Sequence, residues 1–411
     1  MPRIAVIADD LTGAMDSGLQ FGKRGLETLV PISWEHVPEG EVAVIDTETR
    51  EAPATTAHRR LCAVAERLRA EHVYKKVDST MRGNVGYELR ALADILQPRG
   101  IVIAPAFPGI GRTTVHGRQH VDGRALELTF FGHDPRWPMR ESHLPTLLME
   151  QAGAEVGLAG LDVVDAGRDA LMRRLSACGE SYVVVDAVLD HHLATIAEAV
   201  VGLQGEWLPC GSAGLAAAWA DALALDSESP PRVRPHDARP VLVIAGSRND
   251  ATRRQLTYAT DALALPRVDL DVNHLWTLDA EVARMAESAT RTLLTGQDVA
   301  ISATCSPLAA GRESTVADLL ARVAARVAAD VDLGGLFVTG GEVSIAVCRA
   351  LGVEALRILD EVQIGVPGGL LIGGEYDGLK VVTKAGGFGD DSVLVDALAY
   401  LHDLPVSAPT C

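Results

Sequence analysis

An α/β protein of two domains, each a mostly parallel sheet flanked by helices, follows from three features of the 411-residue sequence. Short apolar runs bounded by Gly, Asp or Pro recur along it. Stretches rich in Ala, Leu and Arg with helical periodicity separate those runs, and one segment dense in proline and charge breaks the alternation.

The apolar runs predict buried strands at 4–8, 42–45, 101–104, 182–185, 241–245, 299–302, 336–339 and 379–383. Helical periodicity predicts helices at 54–70, 169–177 and 315–329. The break is DSESPPRVRPHDARP at 226–240, whose four prolines can continue neither element type. The chain then divides into a domain over 1–225, a linker over 226–239 and a domain over 240–411. A cleft between two such domains is the expected place for a two-substrate site.

Composition narrows the partners. Hydrophobic residues make up 48% of the chain, enough for sizeable cores, and 55 Asp and Glu against 37 Lys and Arg give a formal net charge of −18. That charge opposes nonspecific attraction to nucleic acid or an anionic membrane, so neither is an expected partner. The cysteines are scattered, with no CxxC pair, and read as reduced thiols rather than zinc ligands or disulfides. The N-terminal apolar run reaches Asp9 after five residues, too short for a signal-peptide core, and no apolar run approaches a membrane span. A cytoplasmic address is the expectation.

Chemistry is expected where strands end. The first strand runs into Asp9-Asp10-Leu-Thr-Gly-Ala rather than a dinucleotide-binding glycine turn, with a helix starting near Thr12. Carboxylates at a strand's carboxyl end face the ligand crevice, where they accept hydrogen bonds from hydroxyls or take a proton. Asp10 can equally be a helix cap. A strand at 73–77 feeds a polar loop carrying Lys76, Asp78, Ser79, Thr80, Arg82 and Asn84, in which Arg82 could grip a carboxylate. Capping of the helix at 86–96 accounts for one of these residues and not for all six. The stretch Ala104-Pro-Ala-Phe-Pro-Gly-Ile-Gly-Arg112 reads as a shaped loop after another strand end.

In the second half three strands each run into a small or glycine-rich turn: Gly246-Ser247-Arg248-Asn249, Thr339-Gly340-Gly341-Glu342-Val343, and Lys384-Ala385-Gly386-Gly387-Phe388-Gly389-Asp390-Asp391. Any one is compatible with a tight connection. Three together suit a triphosphate, because glycines let backbone amides approach phosphate oxygens. Lys384 could add a point charge, and Asp390 or Asp391 could hold Mg²⁺ through water.

Taken in order, IADDLTGA, KKVDSTMRGNVG, APAFPGIGRTTVHG, SHLPTLL, GSAGLA, AGSRN, TGGEVS and TKAGGFGDDS make the chain resemble the four-carbon acid sugar kinases over nearly its whole length. The resemblance implies a sugar-acid-binding N-terminal domain and an ATP-binding C-terminal domain. It also implies phosphorylation of the terminal hydroxyl of threonate, erythronate or 3-oxo-tetronate with ATP and Mg²⁺. Matched position by position, it puts the acid on Asp10, Arg50, Lys76, Asp78, Ser79, Thr80 and Arg82, with Asp9 beside them. It puts ATP on Ser247, Gly340, Gly341, Glu342, Val343, Gly386 and Gly387. Two positions depart from the pattern: Val343 replaces a usual Thr, and Arg248-Asn249 stand where small residues are common.

Phosphoryl transfer needs positioning, charge stabilisation and one proton acceptor. Asp10 is the expected base, with Asp78 and Asp390 as rivals, and the metal ligands are not readable. A kinase for another small polyhydroxy acid and a non-catalytic sensor of acid and ATP are the competing readings. Assembly as a homodimer is compatible with the Ala-rich, low-aromatic composition.

Overall fold

The computed structural model describes residues 1–35, 40–134, 137–225, 239–271, 278–304 and 313–404. The chain falls into two compact units, Met1–Pro230 and Pro231–Cys411. The expected linker lies outside the described residues except for Arg239.

The first unit alternates strand and helix: β1 (Ile4–Ala8), α1 (Leu11–Gly22), β2 (Thr28–Pro31), β3 (Val42–Asp46), α2 (Ala54–Arg67), β4 (His72–Lys76), α3 (Val85–Leu96) and β5 (Gly100–Ala104). A small antiparallel meander follows, β6 (Arg112–Val115), β7 (Arg118–Val121) and β8 (Arg124–Ala125). Then come α4 (Leu144–Ala152), β9 (Val156–Ala159), α5 (Leu161–Asp165), α6 (Arg168–Ala177), β10 (Tyr182–Val185), α7 (Asp190–Gly202), β11 (Trp207–Gly211) and α8 (Ala213–Leu223). Eight of these strands form one parallel array in the order β2-β3-β1-β4-β11-β5-β10-β9. Helices cover both faces, which is why β1, β3 and β5 are buried along their whole length and apolar throughout except for Asp46 at the end of β3. Helix α2 stops at Arg67, short of the expected Ala70, because Leu68 turns to an extended conformation and packs into the core.

The second unit comprises β12 (Val241–Ala245), α9 (Asp250–Leu263), β13 (Arg267–Asp269), α10 (Leu278–Leu293), β14 (Val299–Ser302), α11 (Glu313–Asp330), β15 (Gly335–Thr339), α12 (Gly341–Ala350), β16 (Ala355–Gln363), β17 (Val366–Ile372), β18 (Lys380–Lys384) and α13 (Val393–Leu401). Strands β13-β14-β12-β15-β18 run parallel, and β17 and β16 continue the sheet antiparallel. The sequence does not announce this hairpin, since Arg357, Asp360 and Glu361 interrupt the apolar residues of β16 and β17 contains Pro367-Gly368-Gly369. Cys62, Cys178, Cys210 and Cys348 are free thiols, whereas Cys305 and Cys411 lie outside the described residues. No helix among the described residues is long and apolar enough to cross a membrane.

Candidate active site

Neighbouring parallel strands deliver their carboxyl ends to the same place, and in the first unit β3, β1 and β4 are neighbours. Their trailing segments carry Arg50, the Asp9-Asp10 pair and the Lys76–Arg82 loop. Arg50 grips Asp9 bidentately, Nε to Oδ2 and Nη2 to Oδ1 both at 2.9 Å, and donates through Nη1 to Asp10 Oδ2. Asp10 is also the cap of α1, its Oδ1 accepting from the Gly13 amide at 2.8 Å. Capping and site membership, which the sequence leaves as alternatives, therefore coexist in one side chain.

Local backbone geometry holds the loop after β4. Met81 has φ +57° with its side chain fully buried, and Gly83 has φ +102°. A Cβ at Gly83 would come within 3.2 Å of Asp9 Oδ2 and 3.3 Å of Arg50 Cγ, so glycine is required by conformation and by space. Asp78 accepts from Arg82 Nε at 2.6 Å and from the Thr80 hydroxyl, while the Arg82 guanidinium stacks 5.2 Å from the Phe131 ring centre. Ser79 is half-buried, and its carbonyl accepts from Gln119 Nε2 at 2.6 Å.

Asn84, already part of the polar loop in the sequence, is joined by three supporting residues that escaped the sequence reading of the site: Lys75, Glu88 and Asp46. Asn84 Nδ2 donates to the carbonyls of Thr49 and Ala52, both at 2.8 Å, clamping the segment that carries Arg50. Behind the strand ends, Lys75 and Glu88 form a fully buried ion pair at 2.8 Å, and Glu88 also accepts from the Thr49 hydroxyl. Asp46, at the end of β3, accepts from the Glu48 amide at 2.8 Å through Oδ1, while its buried Oδ2 has no hydrogen-bond partner among the described residues. Lys75 lies in the KKVD stretch and Asp46 in the DTETR stretch, but only pairing across elements shows the roles of these residues.

The charges pull adjacent carboxyls apart. Burial would raise Asp9, but the Arg50, Lys75 and Lys76 charges outweigh it and hold the group below the usual range. For Asp10, burial and the neighbouring Asp9 charge outweigh Arg50 and Lys76, and the carboxyl is raised. Burial of Asp78 is overcome by Arg82 and Arg50, which hold it far below the usual range. Such divergence between neighbouring groups separates a stable anion from a proton acceptor. The Lys76 side chain is only 4% exposed and its charge acts on both Asp9 and Asp10. A Cβ at Gly13 would lie 3.0 Å from Lys76 Nζ, which places the ammonium over the first turn of α1.

In the second unit β12, β15 and β18 are neighbours, and the registers Ala245↔Thr339 and Thr339↔Lys384 align the starts of all three small turns. Gly340 has φ +108° and is the N-cap of α12, with no side-chain cap hydrogen bond, and a helix N-terminus of this kind suits an anion. A Cβ at Gly386 would sit 2.1 Å from Ser247 Oγ, and one at Gly246 would sit 2.3 Å from Val343 Cγ2. Val343 is thus a buried spacer between the first two turns. Glu342 and Gly387 are exposed. These features fit a phosphate chain held by backbone amides.

Lys384 differs from expectation: its Nζ faces the carbonyls of its own turn. Asp390 is exposed and accepts from Gln363 Nε2 at 3.0 Å and the Ser392 amide at 2.8 Å, while Asp391 pairs with Arg254. The Gln363 hydrogen bond leads the contacts that hold Asp390 below its usual range.

Residues 4–219 match the family described as the sugar-binding N-terminal domain, and residues 242–394 match the nucleotide-binding C-terminal domain. The chain is 37% identical to a D-threonate kinase of Salmonella typhimurium, over 98% of this chain and 99% of that one. It is 30% identical to a D-erythronate kinase of Heliobacterium modesticaldum, over 98% and 97%. A solved Salmonella typhimurium structure, titled a putative tRNA synthase, superposes with a TM-score of 0.82 at 28% identity, covering 96% of this chain and 98% of that one. The aligned strand ends and the two matched domains lead to one conclusion: the chain belongs to the four-carbon acid sugar kinase family and is a kinase.

Proposed function

We propose that this kinase uses Mg-ATP to phosphorylate the terminal hydroxyl of a four-carbon sugar acid, giving the 4-phosphate and ADP, with a threonate as the first candidate. The observation that carries the reading is the Asp9-Arg50-Asp10 cluster with the Lys76 ammonium beside it. Carboxylates to receive hydroxyls and a buried ammonium to receive a carboxylate are what a polyhydroxy acid requires. The greater identity to the D-threonate kinase supports threonate over erythronate.

In this reading Lys76, with Arg82, binds the acid's carboxylate, and Asp78, Ser79 and Thr80 orient its hydroxyls. Asp9 stays ionised against Arg50 and keeps that guanidinium in place. Asp10, whose affinity for a proton is raised, takes the proton of the terminal hydroxyl as that oxygen bonds to the γ-phosphorus and ADP leaves with the electron pair of the broken bond. The turns at Ser247, Gly340–Val343 and Gly386-Gly387 hold the phosphates through backbone amides. Mg²⁺, when bound, neutralises charge on the transferring phosphoryl group, and the exposed Asp391 and Asp390 could reach it through water.

Phosphorus NMR of the product tests the reading. A phosphate coupled to the C4 methylene protons supports it, and coupling to a methine proton at C2 or C3 contradicts it. Assembly as a homodimer belongs to the same proposal and is measured by light scattering.

A further inference from the structure

Lys384 ends β18 with a side chain only 3% exposed. Its Nζ donates to three carbonyls of the turn that follows: Ala385 at 2.7 Å, Gly386 at 3.1 Å and Phe388 at 3.1 Å. An ammonium has three N–H donors and no acceptor, so these bonds account for it completely. Helix α9 draws in the same turn, through the Thr252 hydroxyl on the Gly386 carbonyl at 3.0 Å and Gln255 Nε2 on the Phe388 carbonyl at 3.0 Å.

In a planar trans peptide the carbonyl of one residue and the N–H of the next point in opposite directions. Carbonyls of Ala385 and Gly386 drawn inward therefore turn the amides of Gly386 and Gly387 outward. We infer that Lys384 is a positioning residue for the nucleotide: its ammonium is the template on which the third glycine turn presents those two amides to phosphate. The inference rests on the nucleotide reading of this domain and adds a proton to it. A neutral amine has two donors and a lone pair, so losing the proton leaves one carbonyl facing a lone pair and loosens the turn.

Burial pulls the Lys384 ammonium down to about 7. Ionisable groups on the adjoining elements make their contacts elsewhere: Arg253 with Asp250, Arg254 with Asp391, and Asp390 and Asp396 with Gln363. A phosphate anion arriving at the turn favours the charged amine, so binding takes up a proton. Affinity is then greatest below about pH 7 and weakens as pH rises through the range in which free Lys384 loses its proton.

Calorimetry of Mg-ADP binding to the full chain, at pH 6.5 to 8.5 in buffers of different ionisation enthalpy, tests this. The wild type should take up a proton and lose affinity by up to about tenfold per pH unit above neutrality. Lys384→Arg, which keeps its charge, should bind with little pH dependence, and Lys384→Met should bind weakly at every pH without the uptake. The nucleotide's own ionisation is common to all three proteins and is removed by difference. Equal uptake in the wild type and Lys384→Met overturns the inference. If the variants do not fold, a flat wild-type affinity across the range overturns it as well. Failure of the wild type to bind Mg-ADP at all would instead overturn the nucleotide reading on which it rests.

Discussion

Arg50 holds Asp9 through two parallel hydrogen bonds of 2.9 Å, and the same guanidinium reaches Asp10. A lysine keeps the charge but offers no planar fork. Arg50→Lys should therefore leave Asp9 incompletely paired, costing about 1.5–3 kcal/mol of stability on the scale of hydrogen bonds to charged groups. Denaturant titration reads that loss. The acid's KM should rise while nucleotide affinity is unchanged, and unaltered stability and KM would contradict the role given to the fork.

In the proposed reading Asp10 and Lys76 serve the same ligand, and they should fail differently. Asp10→Asn keeps a side-chain oxygen for the α1 cap and removes the proton acceptor, so kcat should fall by about 10²–10⁴-fold with ATP still bound. Lys76→Met removes a buried charge partner for the acid, raising its KM by about 30-fold or more, on the order of 2 kcal/mol. Steady-state kinetics with each substrate varied in turn separates the two outcomes.

The third glycine turn leaves no room beside the first. A Cβ at Gly386 would lie 2.1 Å from Ser247 Oγ and 3.2 Å from Asn249 Cβ. Gly386→Ala should spread the two turns and weaken Mg-ADP binding while leaving acid binding to the other domain intact. Thermal shift with each ligand alone checks this, and equal loss of both ligands would point to general unfolding.

Asp46 supplies a pH signature. Burial, followed by the Asp10 charge, pushes its carboxyl well above the ordinary range. The folded state therefore binds this proton more tightly than the unfolded state, so stability from this group is present below about pH 4, the unfolded value, and is lost as pH rises through the folded value. Above the unfolded value, keeping the proton or ionising in the buried site is a cost to the folded state. Asp46→Asn should raise stability at pH 7 by about 1–3 kcal/mol and have little effect at pH 4.5. Melting curves at the two pH values measure the difference.

Much of this architecture was legible in the sequence for a physical reason. Strands buried on both faces, such as 4–8, 182–185, 241–245 and 299–302, appear as uninterrupted apolar runs and coincide with β1, β10, β12 and β14. The charge-interrupted β16 and the glycine-interrupted β17 carry no such signal. The site divides in the same way. Asp9, Asp10, Lys76 and the glycine turns follow strand ends and could be found there, whereas Arg50 was recognisable only through the family pattern. Asn84, Glu88 and Gln119 act through bonds to residues 35, 39 and 40 positions away, and that pairing is a property of the fold.

The most direct test of the central claim is ADP release from Mg-ATP against a panel of D- and L-threonate, D- and L-erythronate, 3-oxo-tetronates and longer aldonates. The account predicts strong turnover with a four-carbon acid, with a threonate foremost, and its loss in Asp10→Asn. Preference for a longer aldonate, or full turnover in Asp10→Asn, would contradict it.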